Sequence, residues 1–319
     1  MSAPAPTLRR AAALLRDLLP YAGLLAVVVY FALSSEFFLN TRNLERLITD
    51  SATLMLVAFG MTLVILLGEI DLSVGAVVAL LSVLLAQFMA AGMGWPLAVA
   101  LVVVIGIGIG GLNGVITVLG DIPSFITTLG MMAVATGLAY VFTGAVSVAI
   151  MDDVFLDLFY DDRVLGLPVP LWIVAAAFVA CVLYLNRTVP GRELVALGAN
   201  PAAAALSGVP VKRRKITVFA IMGALVAIAA CLSAARLGSG APGSVPALTL
   251  DAIAAVIIGG ANLFGGRAFV GRTLMGAALI AVLNNGMVLL NVNIDAQFII
   301  KGLIILLAVV LERLAAGAR

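Results

Sequence analysis

The sequence predicts an all-α polytopic membrane protein: about ten transmembrane helices, some of them broken or re-entrant, with both termini cytoplasmic. Three observations point there. Of 319 residues, 64% are apolar and 11% charged, against about 45–50% and about 25% in soluble domains. The apolar residues gather into runs near the ~20 residues that a bilayer-crossing helix needs. The basic residues concentrate in alternate connections between those runs, as they do where short loops remain in the cytoplasm.

Bounded by charges, Pro, Gly or Asn, the runs fall near 18–35, 51–68, 74–91, 95–119, 123–143, 168–186, 216–235, 249–264, 270–290 and 296–312. The first competes with a cleaved signal peptide, because Arg9, Arg10 and Arg16 precede it. The many spans that follow favour a retained helix behind a cytoplasmic segment 1–17. With the N-terminus inside, ten alternating spans keep 13 of the 18 basic residues in the cytoplasm. Outside fall Arg42, Arg46, Arg163 and Arg236, and Lys301 lies within a span. The inverted topology would have to translocate the Lys-Arg-Arg-Lys cluster at 212–215, which is unfavourable. The chain reads as one transmembrane domain, 1–319.

Two loops are long. The cytoplasmic one, 187–215, predicts a short helix over the alanine-rich 201–206, with Pro201 in its first turn and its end at Gly208. The external one, 144–167, carries Asp153, Asp157 and Asp161 at four-residue spacing, one acidic face if helical. Such a face is either simply solvated or a docking surface for a basic patch on an external partner.

The polar interruptions of the spans carry the functional information. Glu69, Asp71 and Ser73, flanked by Gly68 and Gly75, break the chain between two apolar runs with almost no loop. Irregular backbone at membrane depth survives only when buried in protein or lining a water-filled cavity, and intramembrane acids are costly. A tight cytoplasmic turn with solvated acids is the alternative. A comparable break follows Asp251, at 259–267, and contains Asn262. Both breaks are approached by V-I-x-x-G, Val64 to Gly68 and Val256 to Gly260. Paired Gly-interrupted segments point to internal repeats and a substrate path. Gly106, Gly110 and Gly114 form a small-residue ladder for close helix packing. Asn284 and Asn285 sit mid-span, where amides either link helices or line a path. Lys301 either snorkels outward or serves a coupled cation.

The composition excludes much chemistry. There is no histidine, which removes the commonest general base and metal ligand. Cys181 and Cys231 lie inside apolar runs and read as small core residues. No phosphate-cradling G-x-x-x-x-G-K-[ST] segment occurs, and a net charge of +2 offers no case for nucleic acid.

The stretch GMTLVILLGEIDLSVGAVVAL (60–80) resembles the signature of monosaccharide permease subunits of bacterial ABC importers, the ribose/xylose/galactose class. IPSFITTLG (122–130), ALGANPAAAALSGVPVKRRK (196–215), LDAIAAVIIGGANLFGG (250–266), LNNGM (283–287) and KGLIILLAV (301–309) extend the resemblance in the same order over roughly 37–312. That class usually has glycine or a similar residue where this chain has Glu69, a departure that alters local polarity. The resemblance implies a ten-helix homodimeric pore in the inner membrane, bound by two cytoplasmic ATPases and fed by a periplasmic sugar-binding protein. ATP and magnesium would then sit on the partner, with no cofactor, metal or catalytic residue on this chain. Gly198, Asn200, Pro201, Ser207 and Gly208 match the loop whose short helix docks on the ATPase. Glu69, Asp71, Ser73, Asn262 and Asn284 fall in signature segments, and with Asn285 are the candidate translocation pathway. Asp153, Asp157 and Asp161 are the candidate docking face for the binding protein.

The expected mechanism is alternating access without chemistry on the sugar. Two rivals stand beside it. The same fold carries another small polar solute (a nucleoside, a signalling sugar or a branched amino acid), or the chain is an ion-coupled carrier with Glu69, Asp71 and Lys301 as its relay.

Overall fold

The computed structural model describes residues 21–317. They form α1 (Tyr21–Ser34), α2 (Thr41–Leu66), α3 (Val74–Ala90), α4 (Trp95–Leu119) and α5 (Ser124–Thr143). An irregular segment with β1 (Val148–Ala149), the one-turn α6 (Asp153–Leu156), a wider π-type turn (Asp157–Asp161) and the hairpin β2 (Arg163–Val164) and β3 (Leu167–Pro168) leads to α7 (Val169–Arg187). Two short helices follow, α8 (Val189–Ala199) and α9 (Pro201–Leu206), then α10 (Val211–Leu237) and β4 (Ser239–Gly240). The chain closes with α11 (Leu248–Ile258), α12 (Val270–Leu289) and α13 (Ile294–Gly317). β1 pairs antiparallel with β4, tying the segment after α5 to the one after α10.

Six described helices, α2, α4, α5, α7, α10 and α12, are long and apolar enough to cross a membrane; α1, α3 and α11 are apolar but shorter. The run predicted at 249–264 is therefore corrected. Its helix spans 11 residues, about 16 Å at 1.5 Å per residue, half of the ~30 Å hydrocarbon layer. Gly259 and Gly260 end it, Gly260 with φ +80, a conformation that side chains disfavour. Two other helices start earlier than their apolar runs. α2 begins at Thr41, where Asn40 Oδ1 accepts from Arg42 N at 2.9 Å, so Arg42 and Arg46 occupy its first turns rather than a loop. α10 begins at Val211, which places residues 212–215 on its first turn.

α2 and α10 are central, with 78% and 67% of their apolar windows buried, against 28%, 17% and 28% for α4, α5 and α7. The glycine ladder of α4 explains how α4 reaches α10. A Cβ on Gly110 would lie 2.1 Å from Phe219 O, and one on Gly106 2.7 Å from Gly223 O. Only glycine admits that backbone-to-backbone approach, and packing is where the ladder is used.

Candidate functional site

The first break is a built turn. Asp71 is 2% exposed, and its Oδ1 accepts from Ser73 N at 2.9 Å and from Ser73 Oγ at 2.6 Å. Asn113 Nδ2 donates to Ser73 Oγ at 3.1 Å. The backbone N–H groups freed by the break are met from α5: Ile70 N donates to Ser124 Oγ at 3.1 Å and Leu72 N to Thr128 Oγ1 at 3.0 Å. This satisfies the demand that irregular backbone in an apolar setting find partners. Glu69 stands apart, paired with Lys215 on the first turn of α10.

The second break folds onto the first. Asn262 Oδ1 accepts from Phe264 N at 3.0 Å, an Asx turn, and Gly266 N donates to Leu66 O at 3.0 Å. Here Gly68, Gly198 and Gly265 bring three segments into backbone contact. A Cβ on Gly198 would lie 2.1 Å from Leu66 O and 2.9 Å from Gly266 N; one on Gly265 would lie 2.8 Å from Gly68 N. Two broken helices and the end of α8 thus meet at one junction.

At the far end of α11 and α12 from this junction lies a cavity of ≈ 420 Å³, within the about 300–1,000 Å³ of small-molecule sites. α2, the end of α10, the α10–α11 connection, α11, α12 and α13 line it. Lys301 Nζ donates to Asp251 Oδ2 at 3.0 Å, and Asn284 Nδ2 donates to the same oxygen at 3.1 Å. Lys301 therefore turns inward and pairs, rather than snorkelling. Arg236 Nε, also lining the cavity, lies 3.1 Å from Asp50 Oδ1. Asn285 forms a reciprocal amide pair with Asn43, at 3.0 and 2.9 Å. Beside it a second depression of ≈ 810 Å³ is lined by Arg42, Arg46 and Arg163, where Arg163 forks onto Glu45 at 3.0 and 2.7 Å.

A family of branched-chain amino acid transport system permease components matches residues 43–309. The chain belongs to this permease family. It is 39% identical over 295 residues to a ribose import permease of Bacillus subtilis, covering 92% of both chains. It is 38% identical over 292 residues to a ribose import permease of Escherichia coli K12, covering 91% of both. A D-allose transport system permease of the same organism is 35% identical, covering 90% of this chain and 88% of its own. No solved structure matches. The family and these relatives agree with the resemblance carried by the motifs. The chain is a non-catalytic membrane subunit of a transport system.

The permease separates its predicted pathway residues into three places. Asn284 and Asn285 line the cavity. Asp71 and Ser73 build the first turn, while Glu69 and Asn262 lie around the junction. Of the coupling residues, Asn200 Oδ1 caps α9 by accepting from Ala203 N at 3.0 Å, Pro201 is its first residue, and Ser207 and Gly208 follow its end. Gly208 has φ +83. Gly198 faces inward, into the junction. Asp153, Asp157 and Asp161 are all exposed. Nearby Tyr160 has its phenol held above the ordinary value, first by burial and then by the charge of Asp50. Sequence reasoning missed Asp50, Arg236 and Gln297 as cavity residues. Their signal was weak: a charge directly before an apolar run at Asp50, and one directly after an apolar run at Arg236.

Proposed function

We propose that this permease is the transmembrane subunit of an ATP-driven importer that moves a monosaccharide inward across the bacterial inner membrane. The observation that carries the reading is the near-full-length likeness to ribose and allose permeases. The cavity supports it, because it offers polar groups of modest number in a volume suited to a small solute.

In this reading the ten apolar helices α1 to α5, α7 and α10 to α13 form a single transmembrane domain with both termini cytoplasmic. Two copies make the pore. The cavity end faces outward, where a sugar-binding protein docks against the acidic Asp153, Asp157 and Asp161. The junction end faces the cytoplasm, and α9 meets the ATPase, which holds ATP and magnesium. Leu206 closes α9 at 92% exposure, and Phe264, beside the junction, is equally exposed. A shift of α9 reaches Gly198 and through it both helix breaks, so ATPase closure is carried to α2–α3 and α11–α12 together. α11 and α12 also wall the cavity, which connects nucleotide state to access. Weak polar contacts suffice there, since a tight site would hold the cargo.

The test is association. Leu206→Asp places a charge on the exposed end of α9 and is expected to abolish co-purification of the ATPase while leaving membrane insertion intact. Undiminished co-purification would remove α9 from the ATPase interface.

A further inference from the structure

We infer that the cavity contains a hydroxyl-accepting subsite for an uncharged, polyhydroxylated ligand, formed by Asp251, Asn284 and Ser244 and held in place by Lys301. The inference rests on the importer reading and assigns the residues that would touch its cargo inside the permease.

Unsatisfied groups point to it. Among the described residues, seven buried side-chain N or O atoms have no hydrogen-bond partner, and three of them belong to residues lining this one cavity: Ser244 Oγ, Asp251 Oδ1 and Asn284 Oδ1. Buried polar groups are nearly always paired in folded proteins, so three exceptions around one cavity mark a place where something else supplies the partner. A carboxylate oxygen and an amide carbonyl oxygen only accept. The partner must therefore donate: water fills that role in the free cavity, and the hydroxyl groups of a polyol can take its place.

Charge narrows the class. The cavity is lined by four ionic side chains, two of each sign, and they are already matched: Lys301 with Asp251 at 3.0 Å and Arg236 with Asp50 at 3.1 Å. An anion, a cation or the zwitterion of an amino acid would have to break one of these pairs to find a counter-charge. A neutral polyol breaks neither.

Lys301 acts through Asp251. It and Asn284 Nδ2 both donate to Asp251 Oδ2. That leaves Asp251 Oδ1 and Asn284 Oδ1 as neighbouring free acceptors, while the side chain of Asp251 stays only 8% exposed. Lys301 is thus a positioning residue. In the arrangement described, the acceptors are shielded, and the ligand reaches them as the walls of α12 and α13 separate.

The experiment uses the complete importer, permease with its ATPase and binding protein, reconstituted in vesicles. ATP-driven uptake of labelled ribose is compared with uptake of its singly deoxygenated analogues. Asn284→Leu, which keeps the bulk and removes the acceptor, is expected to lower kcat/KM for ribose about three- to tenfold, the span of one net hydrogen bond. For at least one deoxy analogue the loss should be less than about twofold. A purely structural defect lowers all substrates alike, and that result, or unchanged ribose uptake, would overturn the subsite. Ser244→Ala should reproduce the pattern more weakly and keeps the test decisive if Asn284→Leu fails to assemble. Absence of ATP-driven uptake of every monosaccharide by the wild-type complex would instead refute the importer reading itself.

Discussion

Gly198→Ala is the sharpest perturbation of the junction. The added methyl would stand 2.1 Å from Leu66 O, about 0.9 Å inside the 3.0 Å limit that real Cβ atoms respect, and 2.9 Å from Gly266 N. Both obstacles are backbone, so no side chain can swing aside. Relief requires α8 to back away from the first break. Overpacking of this kind costs about 1–3 kcal/mol. The same movement loosens the 3.0 Å hydrogen bond from Gly266 N to Leu66 O, worth about 0.5–1.5 kcal/mol. Together the expected destabilisation is about 2–4 kcal/mol. Gly130→Ala on α5 is the matched control: nothing lies within 4 Å of its Cβ position, and alanine favours a helix interior by about 0.5–1 kcal/mol. Thermal unfolding of the purified permease in detergent reads both. Gly198→Ala should melt several degrees lower, and ATP hydrolysis by the assembled complex should lose its link to uptake. Equal midpoints for the two variants would refute the three-way backbone contact.

Other predictions follow from the same geometry. Asp71→Ala removes the acceptor of both Ser73 donors and should cost about 1–3 kcal/mol of stability, whereas Asp71→Asn retains an acceptor and should melt close to wild type. Glu69→Gln weakens a partly exposed pair with Lys215, 28% exposed on the lysine side, and should change stability by about 1 kcal/mol or less; a larger fall would make that pair a structural requirement. Gly110→Ala drives a methyl to 2.1 Å from Phe219 O and should separate α4 from α10, read as a lower yield of monodisperse protein than Gly111→Ala, whose Cβ position meets nothing within 4 Å.

Much of the architecture was legible because lipid imposes long apolar runs, and the ends of α3, α4, α5 and α12 fall within a residue or so of theirs. The starts of α2 and α10 were not, because their first turns carry Arg42, Arg46 and residues 212–215, and a charged helical turn looks like loop when only hydropathy is read. The short α11 was hidden for the opposite reason: residues 259–264 remain apolar enough to pass for helix, although two glycines end it. At the cavity, Asn284, Asn285 and Lys301 stood out singly as polar residues in oily spans. The convergence of Asn284 and Lys301 on Asp251 joins residues 33 and 50 positions apart, Asn285 meets Asn43 across 242 positions, and no local pattern encodes such meetings. The turn at Asp71 was not legible either: an acid in a membrane break reads as pathway, whereas Asp side chains also bond the backbone two residues on, and Asp71 Oδ1 accepts from Ser73 N and Oγ.

The most direct measurement is accumulation of labelled ribose by sealed vesicles containing the permease, its ATPase and the binding protein, with ATP supplied on the ATPase side. Accumulation is expected to require both ATP and the binding protein and to persist when a protonophore collapses the proton gradient. Uptake that survives ATP depletion and is lost with the gradient would overturn ATP-driven import.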